Sequence, residues 1–236
     1  MKTKHRLLLL LVALFLVIPF SSAFSFEGPL QVKNLYPIFL HADEPYMEKA
    51  AIENSMSYSL SHSSTYTVRE SAEWVINLDM EITELNFRYR RIISDLFEFN
   101  LDIPVLIFSG GFMDGFLEGY HDTFGFADYG RNKRPNNEFL YEVKRDGVLI
   151  VKGKSGTGFG DIRFALKSPL MSSEDFNLSI KGDMEIPAGS AEKGYSNGSV
   201  DAGVSVMLDK RISGSTMTYW NFGAIFPGDL RGYETV

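Results

Sequence analysis

The sequence predicts an all-β chain: an antiparallel transmembrane β-barrel, partial or open over these residues, with a short helix and a β-hairpin in one long outer loop. Three observations predict it. Apolar residues recur at every second position through most of the chain after residue 50, the signature of strands with two unlike faces. Connections between those runs alternate in length, as in barrels with short periplasmic turns and longer outer loops. The chain also opens like an exported protein, and after that opening no apolar run reaches the ~20 residues of a spanning helix. Only helices and closed barrels satisfy the backbone in lipid, so a membrane protein of this kind spans as a barrel.

The opening residues set the compartment. Lys2, Lys4 and Arg6 precede an unbroken apolar run from Leu7 to Ile18, and Ser21-Ser22-Ala23 supplies the small residues a signal peptidase reads. Residues 1–23 read as a secretory signal peptide cleaved after Ala23, and export together with the barrel pattern predicts the outer membrane of a Gram-negative bacterium. An uncleaved anchor would need a longer apolar run. With no Cys in the sequence there is neither a lipid-anchored lipoprotein nor a disulfide. A net charge of -7 argues against nucleic acid as a partner and leaves membrane lipid and the outer-membrane assembly machinery. Residues 24–49 form a Pro-punctuated lead-in, and residues 50–236 the barrel, interrupted by a helical and hairpin insertion over 109–159.

The strands follow in order. Met56, Tyr58 and Leu60 alternate with Ser55, Ser57, Ser59 and Ser61, and a long connection is expected from Ser63 to Ser71. In the next run Trp74, Ile76, Leu78, Met80 and Ile82 carry the apolar parity, which then shifts by one residue to Leu85, Phe87 and Tyr89. Thr83 and Glu84 suit no tight hairpin, which needs positive φ, so the shift predicts a bulge in one long strand. Phe97 to Ile103, Ile162 to Leu166, Phe176 to Ile186, Ala202 to Leu208 and Trp220 to Phe226 complete seven spans. The opposite face carries charges of both signs. Across the short turn Ile93 to Asp95, Arg90 is expected opposite Glu98 and Arg88 opposite Asn100, with Asp102 diagonal. An odd count leaves the last connection without a return strand, so a natural product extending beyond Val236 is expected.

Gly110 to Arg134 breaks the period of two. Phe112, Phe116, Leu117, Tyr120 and Phe124 recur at helical spacing. An amphipathic helix between long strands suggests a lid or plug at the barrel mouth, with an interfacial helix outside the wall as the alternative. The hairpin Phe139 to Lys152, turned at Asp146-Gly147, belongs to the same outer insertion.

Gly28-Pro29-Leu30 with Asn34 and Pro37, the block from Gly110-Gly111-Phe112-x-Asp114 through Glu118-Gly-Tyr-His121-x-x-Phe124-Gly125 to Arg131, and Gly158-x-Gly160-Asp161 resemble one family. It is the uncharacterised bacterial outer-membrane proteins of domain-of-unknown-function family 3187. The resemblance covers nearly the whole mature chain and implies an outer-membrane barrel with no established activity. Gly158 to Asp161 also resembles barrels associated with uptake of aromatic compounds.

Other motifs dissolve on inspection. Gly153-Lys154-Ser155 lacks the preceding Gly of a phosphate loop at the right spacing, and Gly156, Gly158 and Gly160 lie outside any βαβ unit. Asn197-Gly198-Ser199 is a turn. Asp114, Glu118 and His121 share a helix face, but a carboxylate-bridged metal site needs a second copy of the motif, so no metal and no cofactor is expected. Lumen or plug candidates are therefore Asp114, Glu118, His121 and Arg131 in the insertion and Arg88, Arg90, Glu98 and Asp102 on the wall. Three functions stay open: a passive porin-like channel or uptake barrel for small molecules, an outer-membrane lipid or ester hydrolase using His121, and a structural envelope barrel. Of these the channel fits the charged wall best.

Overall fold

The computed structural model describes Pro29, Leu35 and residues 47–229; the residues read as a signal peptide, most of the lead-in and residues 230–236 lie outside the described residues. Ten strands form one antiparallel sheet, curled into a half-barrel. They are β1 (Ser55–Glu70), β2 (Trp74–Ser94), β3 (Phe97–Ser109), β4 (Leu140–Arg145), β5 (Val148–Lys152), β6 (Gly156–Phe159), β7 (Ile162–Ser172), β8 (Phe176–Ile186), β9 (Asp201–Ser213) and β10 (Thr216–Phe226), with the helix α1 (Asp114–Phe124) after β3. No helix among the described residues is long and apolar enough to cross a membrane, which says nothing about strands.

The ten strands occupy seven lanes. β2 pairs Glu81 with Ser109 of β3 and Asp79 with Leu140 of β4, so β4 resumes the lane β3 leaves and residues 110–139 bulge out between them. β5, β6 and β7 share the next lane, β5 against β4 and the other two against β3. At one end, the near end, the turns at 95–96, 173–175 and 214–215 are short; the other end carries the insertion, the β4–β5 hairpin and the 187–200 connection. The hairpin read at Asp146-Gly147 is present, with Asp146 and Gly147 both at positive φ.

Two expectations are corrected here. β1 runs on to Glu70 and pairs with β2 along its whole length, so the expected long connection at Ser63 to Ser71 is strand and only residues 71–73 turn. The long β2 is continuous, as read, but it has no bulge at Thr83-Glu84: Ser61 pairs Glu84 and His62 pairs Thr83 in unbroken register. The apolar parity shifts because the two faces exchange chemistry halfway along. Toward the far end the concave face carries Leu78, Met80 and Ile82, which join Leu106, Phe108, Tyr141, Val143 and Tyr195 in the core. Toward the near end the same face carries Glu84, Asn86, Arg88 and Arg90, all buried, while Leu85, Phe87 and Tyr89 turn outward.

Candidate functional site

The concave face near the short turns is an ionic interior. Alternating strands deliver one side chain per lane to each level, and the register aligns Arg88, Asp102, Arg163 and Glu185 in a single row across β2, β3, β7 and β8. Arg88 Nε donates to Asp102 Oδ1 at 2.5 Å, and Arg163 pairs with Glu185 and lies 3.8 Å from Asp183. Two levels down, Lys167 Nζ sits 2.9 Å from Glu98 Oε1, both side chains 0% exposed. Arg88 thus lies opposite Asp102 rather than Asn100, and Arg90 opposite Asn100 rather than Glu98. The expected register fails because β2 runs on to Ser94, so the turn is residues 95–96 and not Ile93 to Asp95, and the ladder then slips by one between Ile92 and Ser94.

A short segment, residues 47–54, crosses this face and seals it. Running across the strands, it has no ladder partner for its backbone, and side chains of the wall supply the bonds. Asp209 Oδ2 accepts from the Ala50 N–H at 2.8 Å, Glu98 Oε2 from the Glu53 N–H at 2.5 Å, and Lys167 Nζ donates to the Lys49 and Ala51 carbonyls. Asn221 on β10 both accepts from the Glu48 N–H and donates to its carbonyl, each at 3.1 Å. The segment returns charge to the wall: Glu48 pairs with Lys181 at 3.2 Å and Glu53 with Arg90 at 2.8 Å. Burial alone would raise the Glu48 carboxyl, but Lys181, Arg90 and Arg88 outweigh it and hold it well below the usual carboxylate range. The lead-in reading carried no hint of this strap.

The convex face is the reverse. Met56, Tyr58 and Leu60, then Leu85, Phe87 and Tyr89, then Phe97 to Val105, and so on through Phe164, Met184, Val206 and Phe222, form one continuous apolar surface across all seven lanes. Leu60, Trp220 and Phe222 are 74, 55 and 64% exposed. A soluble sheet buries such a face and wets the ionic one.

The insertion sits on this convex face, beyond the apolar surface. Gly111 lies hard against the Glu81 carboxylate, whose Oε1 accepts from the Phe112 and Met113 N–H groups at 2.9 and 2.6 Å. His62 joins the anchor, 3.0 Å from Glu81 and 2.8 Å from Thr83, with Phe112 stacked on its ring. The helical stripe does not turn inward over the interior: Phe112, Phe116, Tyr120 and Phe124 are exposed, and Asp114 is the buried residue of α1. The expectation of a lid or plug is corrected on this geometry, because the contacts that seat the insertion all lie on the outward parity of β1 and β2. The stripe repeats at helical spacing whether the surface it meets is protein or something else.

Of the insertion residues singled out, Asp114 and Arg131 are paired and His121 lines the same hollow as Arg131, while Glu118 is bonded elsewhere. Asp114 binds Arg131 at 2.5 Å and caps the Asn137 N–H, Glu118 accepts from Asn136, and His121 approaches Asp128 at 3.4 Å. No group of three or more potential metal ligands occurs among the described residues. Gly158 and Asp161 are structural: a side chain at Gly158 would strike the Tyr195 ring, which stacks on Phe108 at 4.4 Å. Asp161 accepts from Ser196 Oγ at 3.0 Å and holds the 187–200 connection; burial pushes its carboxyl up to about 6 against that hydrogen bond.

The sequence model of one family, described as a protein of unknown function (DUF3187), matches residues 7–230. No curated protein matches the chain, and no solved structure does.

Proposed function

The chain belongs to the DUF3187 family, and from that premise we propose that it is a bacterial outer-membrane β-barrel protein whose polar interior is a small-molecule path held shut by the strap at residues 47–54. The observation that carries this reading is the inversion of faces: an apolar surface on the outside of seven lanes and a buried ionic row on the inside. Lipid is the environment in which that arrangement is stable. The cleavable signal read over residues 1–23 fits export toward that membrane. Opening the path requires displacing the strap, because Glu48, Ala50 and Glu53 occupy the cationic centre of the wall.

Reconstitution tests both halves. The mature protein should require detergent and migrate differently on gels before and after heating; recovery as a stable soluble monomer ends the membrane reading. In planar bilayers the Glu48→Gln/Glu53→Gln variant should conduct more often than the unaltered protein, since the strap loses its attraction to Lys181 and Arg90. A structural envelope barrel is the second reading, favoured by the pairing of Lys167 with Glu98 and of Arg88 with Asp102. Silence of both proteins in bilayers would select it. The hydrolase reading gains no support, because no hydroxyl is bonded to His121 among the described residues.

A further inference from the structure

The insertion and the far end of β1 enclose a cavity of 610 Å³ lined by Tyr66, Arg69, His121, Tyr129 and Arg131, among others. A neighbouring one of 470 Å³ shares Tyr66 and Tyr129 and adds Lys133 and Arg134. Arg131 is engaged by Asp114 and lies over the Tyr66 ring, and Arg134 is engaged by Asp79. Among the described residues, Arg69 and Lys133 have no carboxylate partner. Three guanidiniums, an ammonium and an imidazole thus line the two cavities beside one acid, Asp128, that is not held by an arginine. Tyr129, common to both cavities, is 84% exposed and takes φ 51, a left-handed conformation costly for a bulky residue and found where function over-determines the backbone.

What lies beside the cavities identifies the occupant. Phe116, Tyr120, Phe124 and Phe126 form an exposed aromatic cluster, Tyr120 lying 4.7 Å from Phe124 and 5.8 Å from Phe126, and Phe126 meets the cavity-lining His121 edge-on. Ahead of the helix, Phe112 stacks on His62, which follows Leu60 on the same face of β1, so the insertion's aromatics start at the margin of the wall's apolar surface. Aromatic rings at the margin of an apolar belt sit at the level of lipid headgroups. We infer that the two adjoining cavities together hold the phosphate of an anionic lipid headgroup, with Arg69 supplying the planar fork from the first, Lys133 the point charge from the second, and the aromatic cluster resting in the interface below. This rests on the membrane reading above.

The test uses the full mature protein in micelles containing phosphatidylcholine, with or without phosphatidylglycerol, and compares it with an Arg69→Gln/Lys133→Gln variant whose changes are on exposed side chains. Native mass spectrometry should retain phosphatidylglycerol on the unaltered protein in preference to phosphatidylcholine. The variant should lose at least tenfold in that affinity while unfolding at the same temperature in phosphatidylcholine alone. Equal retention of the two lipids, or unchanged retention by the variant, overturns the inference while a heat-modifiable, detergent-dependent protein leaves the membrane reading standing. A thermal shift with inorganic phosphate as large as with phosphatidylglycerol overturns the lipid as the source. A protein soluble without detergent overturns both.

Discussion

Lys167 and Lys181 face each other directly across β7 and β8. Like charges so placed repel, and neither lysine could be buried on that account alone. The wall answers with a carboxylate for each: Glu98 from β3 on one side, and Glu48 from the strap on the other. Glu98→Gln should therefore leave a buried ammonium uncompensated and cost about 3 to 5 kcal/mol in urea unfolding of the reconstituted protein. Changing Lys167→Met as well should restore most of the loss; if it does not, Glu98 acts through its bond to the strap. The opposed lysines were also the signal that could have revealed the strap. Their polar alternation was legible, but their pairing depended on a register across separate strands that the sequence pattern does not carry.

At the level of elements, β2 shows why alternation can be read correctly and interpreted wrongly. Its apolar residues change parity by one, and a bulge is the local explanation. The actual cause is nonlocal: the insertion covers Asp79 and Glu81 on one face, and the core covers Leu78 and Met80 on the other. The insertion's helix was legible from spacing, whereas its side of the wall was not, because an apolar stripe records only that it avoids water. Its seat depends on Gly111, which has φ 77 and touches the Glu81 carboxylate. Gly111→Ala should cost roughly 1 to 2 kcal/mol from the backbone alone and more from the clash. Limited proteolysis should then cut within 110–139 while the strands stay protected, and unchanged cleavage would mean that Glu81 does not anchor the insertion.

For the whole molecule, the seven lanes, the long strands and the near-end turns followed from period and turn chemistry, and the structure agrees with them as an open antiparallel sheet among the described residues. Membrane residence remains the proposal, and a single outward residue probes it. Ile180 is on the convex face opposite Val206, 40% exposed. Ile180→Lys should destabilise the protein by roughly 2 to 4 kcal/mol in bilayers if the residue sits near the midplane. The polar change Ser57→Asn on the opposite parity should be mild, and equal effects at the two positions would deny the wall an apolar exterior.

The strap also sets a clock. Its bonds join Glu53 to Glu98 across 45 residues, Ala50 to Asp209 across 159 and Glu48 to Asn221 across 173. Contacts of such sequence separation form late, since the loop entropy is lost before the bond is gained. The strap, synthesised ahead of all ten strands, is thus the last to be satisfied. Until β10 arrives, the lysines and carboxylates of the wall remain open to water, so the ionic interior that finishes the fold also keeps the unfinished chain hydrated.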